Sequence, residues 1–132
     1  MSKINPADRK YTKDHEWVLD AGDGTVTMGI TDHAQELLTD IVYVELPEIG
    51  KTVKQGDPLA VVESVKSVSD VFAPISGEVV DTNGKLETNP ETINEDAFGK
   101  GWIAKIRMDN PAELTALMDA AAYEAMIAQT AS

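Results

Sequence analysis

The sequence predicts a mainly β chain, folded as a sandwich or barrel and finished by helices at its C-terminal end. Three observations carry this. Short runs of alternating apolar and polar residues recur between residues 17 and 107, each bounded by glycine, proline, aspartate or asparagine. Nine glycines and six prolines in 132 residues imply many short elements. Helical spacing appears only in one early stretch and again beyond residue 110.

Taken in order, residues 17–19 and 25–30 alternate around DAGDG, whose glycines and aspartates favour the positive φ angles of a tight hairpin. The next stretch, TDHAQELL, breaks the alternation. Asp32 can cap a helix with Gln35 three residues on, and Ala34, Leu37 and Leu38 share one face. Period two returns over residues 41–46, which puts Val42, Val44 and Leu46 on the core side, and Pro47 ends the run. Further strands are expected at about 52–54, 59–63, 68–73, 77–81 and 102–107, separated by turn-forming clusters such as Gln55-Gly56-Asp57 and Asn83-Gly84. At Asn110-Pro111-Ala112-Glu113 the character changes: Asn110 can cap, Pro111 suits a first helical position, and Glu113 can complete a capping box. Leu114, Leu117, Met118, Ala121 and Ala125 then recur at helical spacing, as the packed face of one or two helices would.

The length suits a single domain, with a core over about residues 11–108 and a helical extension over about 111–129. A net charge of −12 disfavours nucleic acid and anionic membranes as partners and favours proteins with basic docking faces. No run of about 18 apolar residues and no apolar leader is visible, so the chain is expected to be cytoplasmic. The absence of cysteine removes disulfides, thiolate metal sites and a cysteine nucleophile; redox chemistry would have to be borrowed.

Within ESVKSVSD, Lys66 is the one basic residue between Lys54 and Lys85, an interval that also holds Asp57, Glu63, Asp70, Glu78 and Asp81. Residues 64–67 have the length of a hairpin loop built on a type I turn, which places Lys66 at a tip. Exposed lysine is by default a solubilising residue. A modified lysine is the other reading, since a tip holds the amine away from the globule and the flanking valines stiffen the approach. Acylating an ammonium requires a partner that takes its proton and presents an activated acid. A Schiff-base nucleophile would want burial or a neighbouring cation, whereas the neighbours here are Glu63 and Asp70. His15 and His33 lack ligand-like spacing and read as surface or capping residues rather than a metal site. No phosphate loop, dinucleotide fingerprint or nucleophile elbow occurs, so the chain offers no self-contained active site.

Read together, HEWV (15–18), GITDHAQELLTDIVYVELPEIG (29–50), ESVKSVSD with APISGEV (63–79) and INEDAFGKGWIAKI (93–106) resemble the H-protein family of the glycine cleavage system along nearly the whole chain. Biotin domains carry M-K-M and the lipoyl domains of 2-oxoacid dehydrogenases D-K-A around their lysine, and neither signature occurs here. The resemblance implies a lipoyl-domain-type β-sandwich with a short internal helix and C-terminal helices. It also implies a lipoate in amide linkage to Lys66, with Glu63 as a candidate for recognition by the modifying enzyme. The arm would carry an aminomethyl group from a pyridoxal-phosphate-dependent glycine decarboxylase to a folate-dependent aminomethyltransferase. Dihydrolipoyl dehydrogenase would then reoxidise it, and a lipoate ligase or lipoyltransferase would attach it in the first place.

The protein would thus be a non-catalytic, monomeric shuttle; the alternative is a lipoyl donor that relays the group onto 2-oxoacid dehydrogenase subunits. In the family the loaded arm lies near a glutamate and an aspartate that map to Glu16 and Asp70. A protonated amine suits such carboxylates, and the fold would keep water from the labile cargo. Departures from the family pattern are Asp14, where a small polar residue is familiar and which joins Glu16 and Asp70 as an arm-cleft candidate, Thr39 in place of glycine, Ser67 in place of alanine, and Ala97 in place of proline or serine. If the acidic surface steers encounters with successive enzymes, turnover reconstituted with those enzymes falls as salt shortens the screening length to about 8 Å near 0.15 M. Rates indifferent to ionic strength would remove charge steering.

Overall fold

The computed structural model describes residues 5–130. Among the described residues, nine strands form two antiparallel sheets. They are β1 (Lys10–Tyr11), β2 (Glu16–Asp20), β3 (Thr25–Ile30), β4 (Ile41–Glu45), β5 (Thr52–Val53), β6 (Pro58–Ser64), β7 (Val68–Phe72), β8 (Gly77–Thr82) and β9 (Ala104–Met108). The larger sheet runs β1-β2-β3-β9-β8-β5 and the smaller β4-β6-β7. The expected mainly β architecture is therefore observed, with α1 (Asp32–Leu38), α2 (Lys85–Thr88), α3 (Thr92–Glu95), α4 (Ala112–Thr115) and α5 (Ala120–Thr130) added around it. No helix among the described residues is long and apolar enough to cross a membrane.

One apolar core lies between the sheets, built from inward-facing residues such as Val26, Met28, Val44, Val62, Val71, Val79 and Ile106. Its burial is the main force holding the two layers together. A second cluster, Tyr11, Trp17 and Tyr123, packs α5 against the outside of the larger sheet. Trp17 pairs with Gly29 across the β2–β3 ladder. A Cβ at Gly29 would lie 2.9 Å from the Trp17 ring, so only glycine leaves the indole room. The DAGDG turn forms as its composition requires: Gly22 and Gly24 take φ of 88° and 90°, while the Asp20 and Asp23 carboxylates accept from the Gly22 and Thr25 backbone N–H groups.

Several sequence expectations shift. Thr31, not Asp32, caps α1, its hydroxyl accepting from Ala34 N, while Asp32 accepts from the Gln35 amide. Leu37 is 54% exposed, because Gln35 takes the packed face and bonds Asn94 of α3. Val42 is also exposed: a register shift between Ile41 and Tyr43 turns Ile41 inward in its place, while Val44 is buried as expected. Trp102 precedes the last strand, which begins at Ala104.

Glu113 does not close a capping box; its carboxylate accepts from the backbone N and hydroxyl of Ser76, pinning α4 to the β7–β8 turn. Residues 116–119 interrupt the C-terminal helical pattern, so α5 turns Tyr123, Met126 and Ile127 inward and leaves Ala121 and Ala125 exposed. β1, α2 and α3 have no counterpart in the sequence reading.

Thr39 follows α1 at φ 66° and ψ −143°, a region that suits glycine and is strained for a β-branched residue. Such strain costs about 1–3 kcal/mol, more than the chain entropy that glycine adds to the unfolded state. Thr39→Gly is expected to stabilise the protein by about 1 kcal/mol in denaturant titration. An unchanged or lower stability would mean that the surrounding contacts absorb the strain.

Candidate functional site

The β6–β7 hairpin exposes Lys66, and short-range chemistry builds its tip. The Ser64 hydroxyl accepts from the backbone N–H groups of Lys66 (3.3 Å) and Ser67 (3.1 Å), and Ser64 N donates to Ser67 O at 2.8 Å. This side-chain-to-backbone turn supplies the four-residue loop without glycine. Val65 N donates to Asp40 O at 3.0 Å, tying the tip to the segment that follows α1. Glu63 stands half-buried at the hairpin base, paired with Val68 on one side and Tyr43 on the other. Ser64 escaped the sequence reading, although a serine opening a four-residue loop is the available signal.

At the far end of β7 lies a cavity of about 460 Å³. Phe72 and Pro74 form one wall, Leu117 and Met118 another, and the β1–β2 loop a third. Glu16 and Asp14 both line it. Glu16 is 2% exposed, with Oε1 accepting from the Thr12 hydroxyl at 2.6 Å and Oε2 from Phe72 N at 3.2 Å. Both donors are neutral. Burial pushes its carboxyl up to about 7; the bonds from Thr12 and Phe72 N pull the other way, and the Asp14 charge pushes further up. Asp70 does not line the cavity: it is exposed on β7, two residues before Phe72. Of the residues singled out from the sequence, Glu16 and Asp14 are therefore brought together, while Lys66 and Glu63 sit at the opposite end of β7.

The β1–β2 loop beneath Glu16 is closed by Thr12, whose hydroxyl accepts from the N–H groups of Asp14 and Glu16 while donating to the Glu16 carboxylate. His15 takes φ 69°, and its ring lies 4.9 Å from that of His33, so the structure joins two histidines that spacing alone kept apart. Burial lowers the His15 pKa, with the neighbouring His33 charge acting in the same direction and Asp14 opposing.

Two antiparallel sheets packed face to face, with a lysine held out on the β6–β7 hairpin, make a lipoyl-domain-type fold. The comparisons agree. The Glycine cleavage H-protein family model matches residues 9–130. A glycine cleavage system H protein from Laribacter hongkongensis is 59% identical over 94% of this chain and 97% of its own, and one from Idiomarina loihiensis is 57% identical over 96% and 98%. The crystal structure of a glycine cleavage system H protein from Mycobacterium marinum superposes with a TM-score of 0.86 at 40% identity, covering 94% of this chain and 99% of that one. The chain belongs to the glycine cleavage H-protein family.

Because the folded-state value of Glu16 lies above its ordinary 4.5, its proton stabilises the fold. That contribution is complete below pH 4.5 and is lost as pH rises through about 7. His15, whose pKa is lowered, acts the opposite way below its ordinary 6.5, so a paired comparison is needed to isolate the carboxylate. Relative to Glu16→Gln, the unmodified protein is expected to lose on the order of 3 kcal/mol of unfolding free energy between pH 4.5 and pH 8. Parallel stability profiles for the two proteins would mean that Glu16 titrates normally.

Proposed function

We propose that this protein is the lipoyl-bearing shuttle of glycine cleavage, non-catalytic in itself, with lipoate held in amide linkage to Lys66. The observation that carries the reading is the pairing of an exposed tip lysine with a buried carboxylate cavity at opposite ends of β7. From Val68 to Phe72 the strand advances about 14 Å at roughly 3.4 Å per residue. A lysine stem extended by an eight-carbon acid spans a comparable distance, so one tether reaches either a partner's active site or this cavity.

The residues present fit that group. Lys66 is an exposed lysine at a hairpin tip, and the cavity volume falls within the range of about 300–1,000 Å³ that suits small ligands. Phe72, Pro74, Leu117 and Met118 give it the apolar wall that the hydrocarbon tether of a loaded arm would pack against. When attached, the lipoyl group supplies a disulfide that accepts an aminomethyl unit together with two electrons, chemistry this cysteine-free chain lacks.

The chain's own residues bind and shield. Glu16 receives the ammonium of the cargo at the cavity floor, and Asp14 adds a second negative charge there. The surrounding side chains keep water away. Asp70, exposed along the route from Lys66, attracts the cationic cargo in transit and is not a wall of its resting place. An arm without cargo has no cation for Glu16 and stays available to partners. Those partners are the glycine decarboxylase, the aminomethyltransferase, dihydrolipoyl dehydrogenase and the enzyme that attaches lipoate, for which Glu63 at the hairpin base is a recognition contact. A protein that only relayed lipoyl groups would have no use for a buried carboxylate facing a cationic cargo, which favours the shuttle over the relay.

Lys66→Arg keeps the charge and the hairpin but cannot be acylated. Incubated with lipoate, ATP and a lipoate ligase, the wild-type protein is expected to gain the mass of one lipoyl group, located to the peptide bearing residue 66. Lys66→Arg gains none and supports no glycine decarboxylation in the reconstituted system, at an unchanged melting temperature. Acylation at another lysine would overturn the assignment.

A further inference from the structure

Tyr123 is fully buried, although it belongs to the peripheral helix α5 and touches none of the apolar core between the sheets. Its hydroxyl lies 2.7 Å from His15 Nδ1 and 2.7 Å from Thr31 Oγ1. Thr31 Oγ1 also accepts from Ala34 N, so the Tyr123 hydroxyl bridges the N-cap of α1 and the His15 ring. The shared hydroxyl fixes the His15 ring against α5. The Tyr123 ring stacks on Tyr11 at 4.9 Å and 10°, and Tyr11 is further tied by reciprocal backbone bonds to Met118 of 2.8 and 3.0 Å.

These contacts bracket one short loop. Tyr11 precedes Thr12, and His15 precedes Glu16, so α5 and the segment before it hold residues 12–15 from both sides. His15 stands at φ 69°, a left-handed conformation that costs about 1–2 kcal/mol for a residue with a side chain. Its backbone C=O accepts from Thr31 N at 3.0 Å, and its N donates to Thr12 O at 3.1 Å. The reversal at His15 sends its ring toward Tyr123 and His33, and the next side chain, Glu16, into the cavity.

We propose that Tyr123 is a positioning residue of the arm cavity: through its hydroxyl it fixes the His15 ring, and through His15 the backbone turn that aims Glu16 at the cargo. The C-terminal helix is therefore a working part of the carrier site, although it contributes no side chain to the cavity wall. This rests on the shuttle reading for what the cavity holds, but not for how Glu16 is aimed.

The test is Tyr123→Phe, which keeps the ring stack on Tyr11 and removes only the hydroxyl. In the unmodified protein, carbon-detected NMR follows titration of the Glu16 carboxyl, whose midpoint in the wild type is set by burial, Thr12, Phe72 N and Asp14. Lys13, which also lines the cavity, is the cation nearest in sequence. Loss of aim is expected to let water reach Glu16 and lower its midpoint by about one unit or more. In protein loaded by the glycine decarboxylase, formaldehyde release is expected to rise about tenfold, as loss of one charge-assisted contact would give. The KM of dihydrolipoyl dehydrogenase for the dithiol form should stay unchanged, since that reaction takes place away from the cavity.

A wild-type midpoint retained in Tyr123→Phe would overturn the proposal, whatever the cargo does. Wild-type protein that released formaldehyde as fast as a free lipoamide adduct would refute protection of the cargo, and the NMR comparison would still decide the role of Tyr123.

Discussion

A carboxylate sealed from water with only neutral donors beside it is the constraint on which the rest of this structure turns. Glu16 is 2% exposed and receives hydrogen bonds from Thr12 and Phe72 N alone. Burying such a group is unfavourable in its charged form, and the fold accommodates it by raising its pKa to about 7. A carboxyl with its midpoint near neutrality gains from any cation brought against it, because the cation favours the charged form that burial disfavours. Under the proposed function, the cavity favours an ammonium over a neutral arm, which would discriminate loaded from empty carrier.

The two ends of the site are built by different means but joined by one strand. At the tip, Ser64 organises the turn from within four residues, so Lys66 can project without glycine and without burial. At the cavity, Thr12 performs the comparable task for the β1–β2 loop, while Tyr11, Met118 and Tyr123 hold that loop from outside. β7 begins at the first and, through Phe72 N, ends on the second. The sandwich is rigid because Val62 and Val71, on adjacent strands, are buried in the core against the larger sheet. The separation of the Lys66 tip from the Glu16 cavity is therefore set by core packing rather than by loops.

How much of this was legible in the sequence follows from the range of the interactions. Strands with clean alternation and polar turns, such as Thr25–Ile30 and Gly77–Thr82, are local signals and were readable. The hairpin lysine was readable because its turn is local too. Val42 misled because a bulge, set by pairing with β6, breaks the period of two. Glu113 misled because two donors on distant Ser76 outweighed the capping box with Asn110, three residues before it. Glu16 and Asp14 could be singled out only through the family resemblance. Their enclosure depends on Phe72 and Leu117, far away in sequence. The His15–His33–Tyr123 cluster left no sequence signal at all, since three separate elements supply it.

The most direct measurement of the central claim is the titration midpoint of the Glu16 carboxyl in lipoylated protein, compared between the oxidised arm and the aminomethyl-loaded arm by carbon-detected NMR. The account predicts a midpoint near 7 with the oxidised arm, and one lowered by about a unit or more when a cationic cargo lies against the carboxylate. Identical midpoints in the two states would contradict it, because the cargo would then be resting somewhere other than on Glu16.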